Sequence, residues 1–370
     1  MKKLEVFNEI ILSSQAVEDN IKFLRRLGGA DVIPVLKSNA YGHGIRQIAQ
    51  VLQKLSTEIV AVDGYYEALQ IRHIFKREIL VLGAIRRDNI RWLKNRRFSF
   101  VLQSIDDLEA FGQSRRKFNI HLEVNTGMNR MGIRPSEVTE CLQALKNYKN
   151  LHLEGVMTHL ASVDEPDNDS PEQQVKIFDE VVEKILAAGY QPKIIHVANS
   201  AGIGRVKSRF ANYSRPGIAV YGINELSKSD KRFKQFEKLK PVLQLRSTIV
   251  KVVNLKRGEA VGYGGSFMAP KAMRIGVLPL GYYEGVARTL SNRGVVITLS
   301  GRELAMVGRV CMNHTMIDLS GTELGEGDKV VIISSNPAAG NSVMGLQREF
   351  GLFSYETLAR LSENIRRVVK

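Results

Sequence analysis

The sequence has little cysteine and no long apolar run. Its 370 residues include two cysteines, Cys141 and Cys311, too few for a disulfide framework and at a spacing that matches no zinc pattern. No apolar run approaches the roughly 18 residues that a membrane helix needs. Near the N-terminus Glu5, Asn8 and Glu9 interrupt any signal-like apolar core. These absences predict a cytoplasmic protein that does not contact membranes.

The composition is ordinary for a globular protein, except for its charge. Hydrophobic residues make up 44% and charged residues 25%, so a sizeable core can form and wholesale disorder is excluded. The net charge of +15 raises the question of nucleic-acid binding, an alternative that rests on charge alone. The densest basic groups, at 94–97 and 115–117, are short and lack interleaved aromatic residues. We therefore expect no nucleic-acid partner and a general attraction for small anions.

The first two-thirds of the chain alternates short apolar runs with amphipathic segments. Continuous apolar runs are typical of parallel strands that are buried on both faces. Eight such runs separated by helices predict an N-terminal TIM-like (β/α)8 barrel, which we assign to residues 1–235. The candidate strands are VIPVLK (32–37), EIVAV (58–62), EILVLG (78–83), FSFVLQ (98–103), NIHLEV (119–124), LEGVMTH (153–159), KIIHVAN (193–199) and SRPGIAVYG (214–222).

The texture of the sequence changes after a charged connection at residues 227–240. β-Branched runs with tight glycine-containing turns follow, and they predict a predominantly antiparallel β domain over residues 236–370. The first ten or so residues are candidates to join this domain. The tail SYETLARLSENIRRVV (354–369) has apolar residues at helical spacing and predicts a helix. The fold class is therefore α/β plus β.

The segment VIPVLKSNAYGHG (32–44) carries the first chemical signal. An apolar strand ends there in Lys37, and the carboxyl ends of barrel strands face the active site. Desolvation at such a place disfavours the ammonium form, which makes the amine a nucleophile able to form a Schiff base. A surface lysine that reaches solvent is the alternative when the residue is considered alone.

Read whole, this segment closely resembles the lysine-bearing segment of alanine racemases, pyridoxal-phosphate-dependent enzymes of fold-type III. The resemblance recurs in order along nearly the entire chain. It implies a barrel that binds pyridoxal 5'-phosphate, a β domain, and a homodimer with shared active sites that supplies D-alanine for peptidoglycan. The other matching segments are NTGMNRMGI (125–133), GVMTHLASVDEPD (155–167), HVANSAG (196–202), YSRPGIAVYG (213–222), VGYGG (261–265), GYYEGVARTLSNRG (281–294), VGRVCMNHTMIDL (307–319) and SYETL (354–358).

The resemblance also implies roles for individual residues and no metal. Lys37 and Tyr263 of the other subunit are the implied bases on the two faces of the substrate Cα. The implied cofactor-binding residues are Lys37, Tyr41, His159, Asn199, Ser200, Arg215, Gly217, Ile218 and Tyr355. Arg130 and the backbone of Met312 are implied to hold the substrate carboxylate, and Cys311 is a packed neighbour. The implied entrance residues are Asp164, Tyr282, Arg288 and Arg309.

Arg215 is the implied partner of the pyridine nitrogen, and this choice has chemical consequences. A carboxylate there would stabilise the protonated form of the ring nitrogen and make the ring a strong electron sink. Guanidinium cannot accept a proton and is always charged. A ring held unprotonated stabilises carbanionic character less, so proton return to Cα is fast relative to side reactions such as transamination.

Several positions depart from the family pattern, among them NTGM (125–128) and YYEG (282–285) in place of the usual DTGM and YADG. Glu123 stands where the family usually has a lysine, often carbamylated, and we hypothesise that its carboxylate orients Arg130 directly. Asn313 replaces the usual aspartate beside the carboxylate-binding backbone, which leaves the substrate open between alanine and serine or another amino acid. A fold-type III decarboxylase is a further alternative, but Arg215 and the VGYGG tyrosine argue against it. A non-catalytic pyridoxal phosphate carrier of one barrel does not explain the residues after 240.

Overall fold

The computed structural model describes residues 5–94, 96–165 and 167–370, which form two compact units. The barrel unit comprises residues 18–40 and 48–239, and the β unit comprises residues 41–47 and 240–370 together with the N-terminal segment up to Val17. Within the described ranges, every helix falls short of the length and apolar character that crossing a bilayer requires.

The strands and helices alternate in the barrel unit and give way to strands in the β unit. The strands are β1 (Glu9–Leu12), β2 (Asp31–Val32), β3 (Ile59–Val62), β4 (Glu78–Val81), β5 (Phe98–Leu102), β6 (Phe118–Val124), β7 (Leu151–Thr158), β8 (Ile194–His196), β9 (Tyr213–Ser214), β10 (Leu243–Thr248), β11 (Lys251–Leu255), β12 (Ala260–Val261), β13 (Phe267–Met268), β14 (Met273–Leu278), β15 (Val295–Thr298), β16 (Glu303–Ala305), β17 (Thr315–Asp318), β18 (Lys329–Ile333) and β19 (Arg366–Val369). The α-helical segments are α1 (Ser14–Gly28), α2 (Lys37–Tyr41), α3 (Ile45–Lys54), α4 (Tyr65–Ile71), α5 (Ile105–Gly112), α6 (Val138–Lys146), α7 (Ser170–Ala187), α8 (Phe233–Phe236), α9 (Val343–Phe350) and α10 (Ser354–Ala359). The 3-10 helices are Arg87–Trp92, Ile218–Tyr221, Tyr263–Gly265 and Arg288–Leu290.

Eight parallel strands form the sheet of the barrel unit, in the order β2-β9-β8-β7-β6-β5-β4-β3. A parallel bridge between Val35 and Ala61 joins the first strand segment to β3. Every residue of β3 and β5 is buried, as expected for parallel strands that are covered on both faces. The barrel fold expected from the apolar runs is confirmed.

Several of the predicted strands are shorter than their apolar runs, and in two of them a proline follows the end of the strand. β2 ends at Val32 and β9 ends at Ser214, each just before a proline, Pro34 or Pro216. Proline has no N–H group and interrupts a ladder of hydrogen bonds. Both proline carbonyls still accept, Pro216 from the N–H of Val35 at 3.0 Å and Pro34 from that of Ala61 at 2.9 Å. The single bridge between Val35 and Ala61 therefore closes the barrel immediately before the lysine segment.

The described residues of the β unit form three separate sheets, which confirms the expected antiparallel β domain. The largest has the order β16-β15-β18-β10-β1-β19, and the others are β11-β14-β17 and β12-β13. All pairs are antiparallel except β1 with β19. The burial of β1 and β10 alternates along each strand, which is the pattern of strands with one covered face.

The helix predicted over 354–369 is wrong in its second half. α10 ends at Ala359, and Arg366–Val369 forms β19 beside β1. The N–H of Lys370 donates to the carbonyl of Leu12, and the Lys370 carbonyl accepts from Ser14, both at 2.8 Å. Pairing with a strand more than 350 residues away in sequence satisfies the backbone groups and overrides the local helical spacing.

Candidate active site

The segment after the barrel closure makes a left-handed turn that begins at Lys37. Four consecutive residues other than glycine have positive φ angles: Ser38 at 54°, Asn39 at 55°, Ala40 at 54° and Tyr41 at 51°. This conformation costs roughly 1–2 kcal/mol per residue in L-amino acids. Strain of this kind persists where the surroundings impose it, and it clusters at functional sites.

Hydrogen bonds from the barrel hold this turn in place. The Ala40 N–H donates to the Leu36 carbonyl at 2.8 Å, and the Ser38 N–H donates to Oε1 of Glu67 at 2.6 Å. The other Glu67 oxygen accepts the N–H of Asp63 at 2.9 Å. One carboxylate thus ties the lysine segment to the start of α4 and fixes the backbone from which the Lys37 side chain departs.

Arg215 is the most deeply buried cation of the site, with 4% of its surface exposed. Its Nη1 donates to the His196 carbonyl at 3.0 Å, and its Nη2 donates to the Thr158 carbonyl at 2.8 Å. Burial lowers the pKa of Arg215 to about 10; the charge of Glu123 raises it and that of Arg130 lowers it. The guanidinium stays charged at neutral pH.

His159 lies against Arg215 and is neutral. Its Nδ1 is 3.2 Å from Nη2 of Arg215. Burial, followed by the charges of Arg215, Arg130 and Lys37, lowers the pKa of His159 to about 3. Because guanidinium only donates, Nδ1 of His159 is the acceptor and the ring proton lies on Nε2. Three cations therefore act together on one imidazole, which is the electrostatic setting of a site for an anionic ligand.

Backbone N–H groups converge beside this cationic cluster. Oγ of Ser200 accepts from the N–H of Gly217 at 3.0 Å and from that of Ala219 at 3.3 Å. Oδ1 of the preceding residue, Asn199, accepts from the Gly202 N–H at 3.0 Å. Ile218 begins the 3-10 helix between these donors. An oxygen that receives two backbone N–H groups occupies a position suited to an anion.

The structure does not pair Glu123 with Arg130. Glu123 is buried, and its Oε2 accepts from Nε2 of Gln103 at 2.8 Å. Among the residues that the structure describes, Arg130 is exposed and forms no ion pair with Glu123. The carboxylate acts on Arg215 instead, whose pKa it raises. Direct orientation of Arg130 by Glu123 finds no support in these contacts.

In the β unit, Tyr263 lies in an exposed turn. Its side chain is 73% exposed at the start of the 3-10 helix Tyr263–Gly265. Gly262 and Gly264 have φ angles of 68° and 70°, a region that favours glycine. A Cβ at Gly264 would lie 3.1 Å from the guanidinium of Arg309, so the absence of a side chain lets the arginine pack on the turn.

The segment around Met312 is held against residues 281–284. The carbonyl of Cys311 accepts from the N–H of Tyr282, and the carbonyl of Met312 accepts from the N–H of Tyr283, both at 3.0 Å. A Cβ on Gly281 would lie 2.0 Å from the Cys311 carbonyl oxygen, so only glycine permits this approach. The side chain of Met312 itself remains 55% exposed.

Two of the departures from the usual family pattern, Asn313 and the glutamate of YYEG, contact each other. Nδ2 of Asn313 donates to Oε1 of Glu284 at 2.8 Å, and Oε2 of Glu284 accepts the Gly281 N–H at 2.7 Å. The amide of Asn313 is therefore oriented by a carboxylate. The pair still presents a single negative charge beside the Met312 backbone.

The remaining predicted residues fall into separate places. The rings of Tyr41 and Tyr355 lie 5.9 Å apart, centroid to centroid, in the β unit. Tyr282 and Arg288 line a cavity of about 760 Å³ in the same unit. Asp164, in the barrel unit, is exposed. The barrel unit thus gathers its cations around His159, whereas the β unit presents exposed side chains.

Sequence reasoning missed a set of buried polar residues in the barrel interior. His121, His196 and Ser99 are buried, and the half-buried Glu154 and Glu78 lie beside them. The available signal was a single polar residue inside an otherwise apolar strand, as in NIHLEV or KIIHVAN. In a strand buried on both faces, such a residue needs a hydrogen-bond partner on a neighbouring strand.

Comparison with known proteins agrees with this combination of a parallel barrel and an antiparallel β domain. The family model for the alanine racemase N-terminal domain matches residues 12–225, and that for the C-terminal domain matches residues 242–369. The alanine racemase of Helicobacter pylori (strain P12) is 31% identical over 352 residues, covering 92% of each chain.

Solved structures share the fold of the whole chain. An alanine racemase from Clostridium difficile 630 superposes with a TM-score of 0.90 at 25% identity and covers 100% of this chain and 97% of that one. One from Bartonella henselae with covalently bound pyridoxal phosphate gives a TM-score of 0.83 at 23% identity, covering 99% and 100%. Fold and comparisons define a two-domain barrel isomerase. The chain belongs to the alanine racemase family.

Proposed function

We propose that the protein interconverts L-alanine and D-alanine with pyridoxal 5'-phosphate as its cofactor. The observation that carries the proposal is the cluster of Lys37, Arg130 and Arg215 around the neutral imidazole of His159, in a chain of this family. The physiological role that we propose is the supply of D-alanine for peptidoglycan, in the cytoplasm. We also propose a domain boundary near residues 235–240.

The donors present suit a phosphorylated pyridine aldehyde. The N–H groups that Ser200 receives from Gly217 and Ala219 match the need of a dianionic phosphate, and we assign Asn199, Ile218, Tyr41 and Tyr355 to its surroundings. Arg215 offers a charged donor to a ring nitrogen, and the Lys37 amine can attach the aldehyde. Bound in this way, the cofactor withdraws electrons from the substrate and acidifies its Cα proton.

Two side chains then exchange the proton at Cα. We propose that the Lys37 amine removes or returns it on one face, and that the Tyr263 hydroxyl of a second copy does so on the other. His159 is held neutral with its proton on Nε2, so it can donate a hydrogen bond to the phenolate. Arg130 and the Met312 backbone N–H are proposed to hold the substrate carboxylate.

The exposure of the β-unit residues supports the homodimer in this proposal. Tyr263 is 73% and Met312 is 55% exposed, although both are assigned to a site that must exclude water. A second copy that covers them would complete the site, with Asp164, Tyr282, Arg288 and Arg309 at its entrance. The oriented amide of Asn313 also keeps serine as a second candidate substrate, because an amide can hydrogen-bond a hydroxyl group.

The test is an exchange assay on the purified protein in D2O. Single L-amino acids are supplied with pyridoxal phosphate, and deuteration at Cα and the D-enantiomer are followed together. We expect alanine to give the highest kcat/KM. Faster turnover of serine would make serine the substrate, and release of CO2 would make the protein a decarboxylase. A bound chromophore with no exchange for any amino acid would overturn the enzymatic proposal.

A further inference from the structure

A column of polar side chains runs through the interior of the barrel and ends at Arg215. We define the polar column as Arg215, His196, His121 and Glu154, from four neighbouring strand segments. Arg215 is 4% exposed, and both imidazoles are fully buried. Buried polar groups of this kind are costly unless they are paired. The proposed racemisation uses Arg215 and leaves the rest of the column without a role.

The donor and acceptor roles along the polar column determine which nitrogen of each imidazole carries the proton. Nη1 of Arg215 is 3.3 Å from Nδ1 of His196, and guanidinium can only donate, so the proton of His196 lies on Nε2. That Nε2 is 2.8 Å from Nδ1 of His121 and must donate to it. The remaining proton of His121 therefore lies on Nε2, which faces Oε2 of Glu154 at 3.7 Å, too far for a hydrogen bond but close enough for an electrostatic contact.

Both imidazoles of the column are neutral. Burial, followed by the charge of Arg215, lowers the pKa of His196 well below its usual value. Burial also lowers the pKa of His121, although the nearby carboxylate of Glu154 acts in the opposite direction. The column thus has a cation at one end and a carboxylate at the other, with two polarised neutral rings between them.

The carboxylate end is built to stay ionised. Oε1 of Glu154 accepts from Nδ2 of Asn119 at 3.0 Å, and Oε2 accepts from Oγ of Ser99 at 2.7 Å. Burial would raise the pKa of Glu154, but its interactions with His121, Glu78 and Ser99 outweigh burial and lower the pKa to about 2. Burial and the neighbouring Glu154 raise the pKa of Glu78 to about 8, so Glu78 holds the proton of the pair.

A glycine makes room for the column. The residue after Glu154 is Gly155, and a Cβ there would lie 2.3 Å from Nδ1 of His121 and 2.5 Å from its Cε1. Any other residue would push the imidazole away from His196. The ring pair itself is edge-on, with 5.0 Å between centroids and 78° between planes. The glycine at position 155 therefore allows the His121 ring to lie beside His196.

We propose that Glu154, through His121 and His196, is a positioning residue that fixes the orientation of the Arg215 guanidinium. The Glu154 carboxylate fixes the tautomer of His121, which fixes that of His196, whose Nδ1 then offers a lone pair to Arg215. Without the anion, the His196 ring can present its N–H to the guanidinium, which would repel it. This inference rests on the proposed function only in that Arg215 faces the reacting ligand.

The first test determines proton positions in the wild-type protein. Neutron diffraction on deuterated crystals of the protein with pyridoxal phosphate should show deuterium on Nε2 of both His121 and His196, with none on Nδ1. Deuterium on Nδ1 of His121 would overturn the proposal. A metal ion bound among Glu78, His121 and Glu154, whose candidate ligand atoms lie within 4.8 Å of one another, would also overturn it.

The second test separates positioning from folding. Glu154→Gln should lower kcat for alanine about tenfold with less than a twofold change in KM, because the substrate contacts remain. Glu78→Gln is the matched control, since a glutamine amide imitates the protonated acid, and it should keep kcat within twofold. A folded Glu154→Gln protein with wild-type kcat would overturn the inference. If this variant does not fold, the proton positions decide; if the wild type itself does not racemise any amino acid, the proposed function fails separately.

Discussion

The barrel unit and the β unit prepare their site residues in different ways. In the barrel, Arg215 is 4% exposed, and its Nη1 and Nη2 donate to the carbonyls of His196 and Thr158 within the same unit. In the β unit, Tyr263 and Met312 are 73% and 55% exposed, and the structure fixes mainly their backbone. The site residues of the barrel unit are therefore positioned by contacts within that unit, whereas those of the β unit have exposed side chains that a second copy could cover.

Removal of the barrel nucleophile should have the largest effect. Lys37→Ala should abolish covalent attachment of pyridoxal phosphate and lower alanine racemisation by about 10⁴-fold or more, because one group supplies both attachment and a base. The visible absorption of the protein and the racemisation rate measure this. Lys54→Ala, on an exposed position of α3, is the control and should change neither. A retained visible band in Lys37→Ala would contradict the assignment.

Removal of the exposed base should come next. Tyr263→Phe should keep the visible band and slow racemisation by about 10²–10⁴-fold, the usual contribution of a general acid–base group. The loss should fall chiefly on the L-to-D direction, which separate assays from each enantiomer measure. Tyr66→Phe, at a side chain that is 80% exposed, is the matched control. Equal wild-type rates in both directions would show that the second base lies elsewhere.

The backbone of the β unit can be tested without touching a catalytic group. Gly281→Ala places a Cβ 2.0 Å from the Cys311 carbonyl oxygen, so we expect the free energy of unfolding to fall by about 2 kcal/mol or more. Denaturant unfolding measures the change. Gly325→Ala, where the added Cβ meets nothing within 4 Å, should leave stability almost unchanged. Equal stability of the two variants would show that the 281–284 contact does not order the Met312 segment.

A smaller effect is expected from the charge that acts on Arg215. Glu123→Gln removes the carboxylate that raises the pKa of Arg215, while the amide oxygen can still accept from Gln103. We expect kcat/KM for alanine to fall about fivefold, the equivalent of roughly 1 kcal/mol. Glu140→Gln on the exposed face of α6 serves as the control. Unchanged kinetics of Glu123→Gln would contradict an electrostatic role for this carboxylate.

The smallest effect is a slope of stability with pH. The folded pKa of Glu78, about 8, lies above the ordinary value of 4.5, so between these values the folded protein holds a proton that the unfolded chain has released. Its contribution to stability is therefore complete below pH 4.5 and is lost as the pH rises through 8. His159 acts in the opposite sense, because its pKa of about 3 makes stability rise between pH 3 and 6.5.

The difference between wild type and Glu78→Gln isolates this slope. The thermal unfolding midpoint of the wild type should fall relative to that of the variant as the pH rises from 5 toward 8. A constant difference across this range would mean that Glu78 does not hold the proton.

The fold was predictable where a continuous run of apolar residues by itself indicates a buried strand. Runs such as IVAV and FSFVL became fully buried strands because parallel strands covered on both faces need apolar residues throughout. The tail at 354–369 was predicted wrongly, because its apolar spacing suits a helix while the strand β1 offers Arg366–Val369 a better partner. Local periodicity carries no information about a partner so distant in the chain.

The candidate site divides in the same way. Motifs around Lys37, His159 and Arg215 pointed to these residues before any geometry was known. The tautomers of His121 and His196 could not be predicted from the sequence. They depend on contacts between neighbouring strands, namely His196 Nε2 with His121 Nδ1 at 2.8 Å and His196 Nδ1 with Arg215 Nη1 at 3.3 Å. That Glu123 orients Arg130 stays a prediction, and the contact of its carboxylate with Gln103 was equally inaccessible to the sequence.

By itself, the sequence determined the apolar strands, the order of the two domains and the family to which the motifs belong, because these depend on residue type and local spacing. Only the tertiary structure decided the left-handed turn after Lys37 and the directed column from Glu154 to Arg215. These features depend on donors and acceptors that separate strands bring within 3–4 Å, and a buried group takes the protonation state that its spatial neighbours permit.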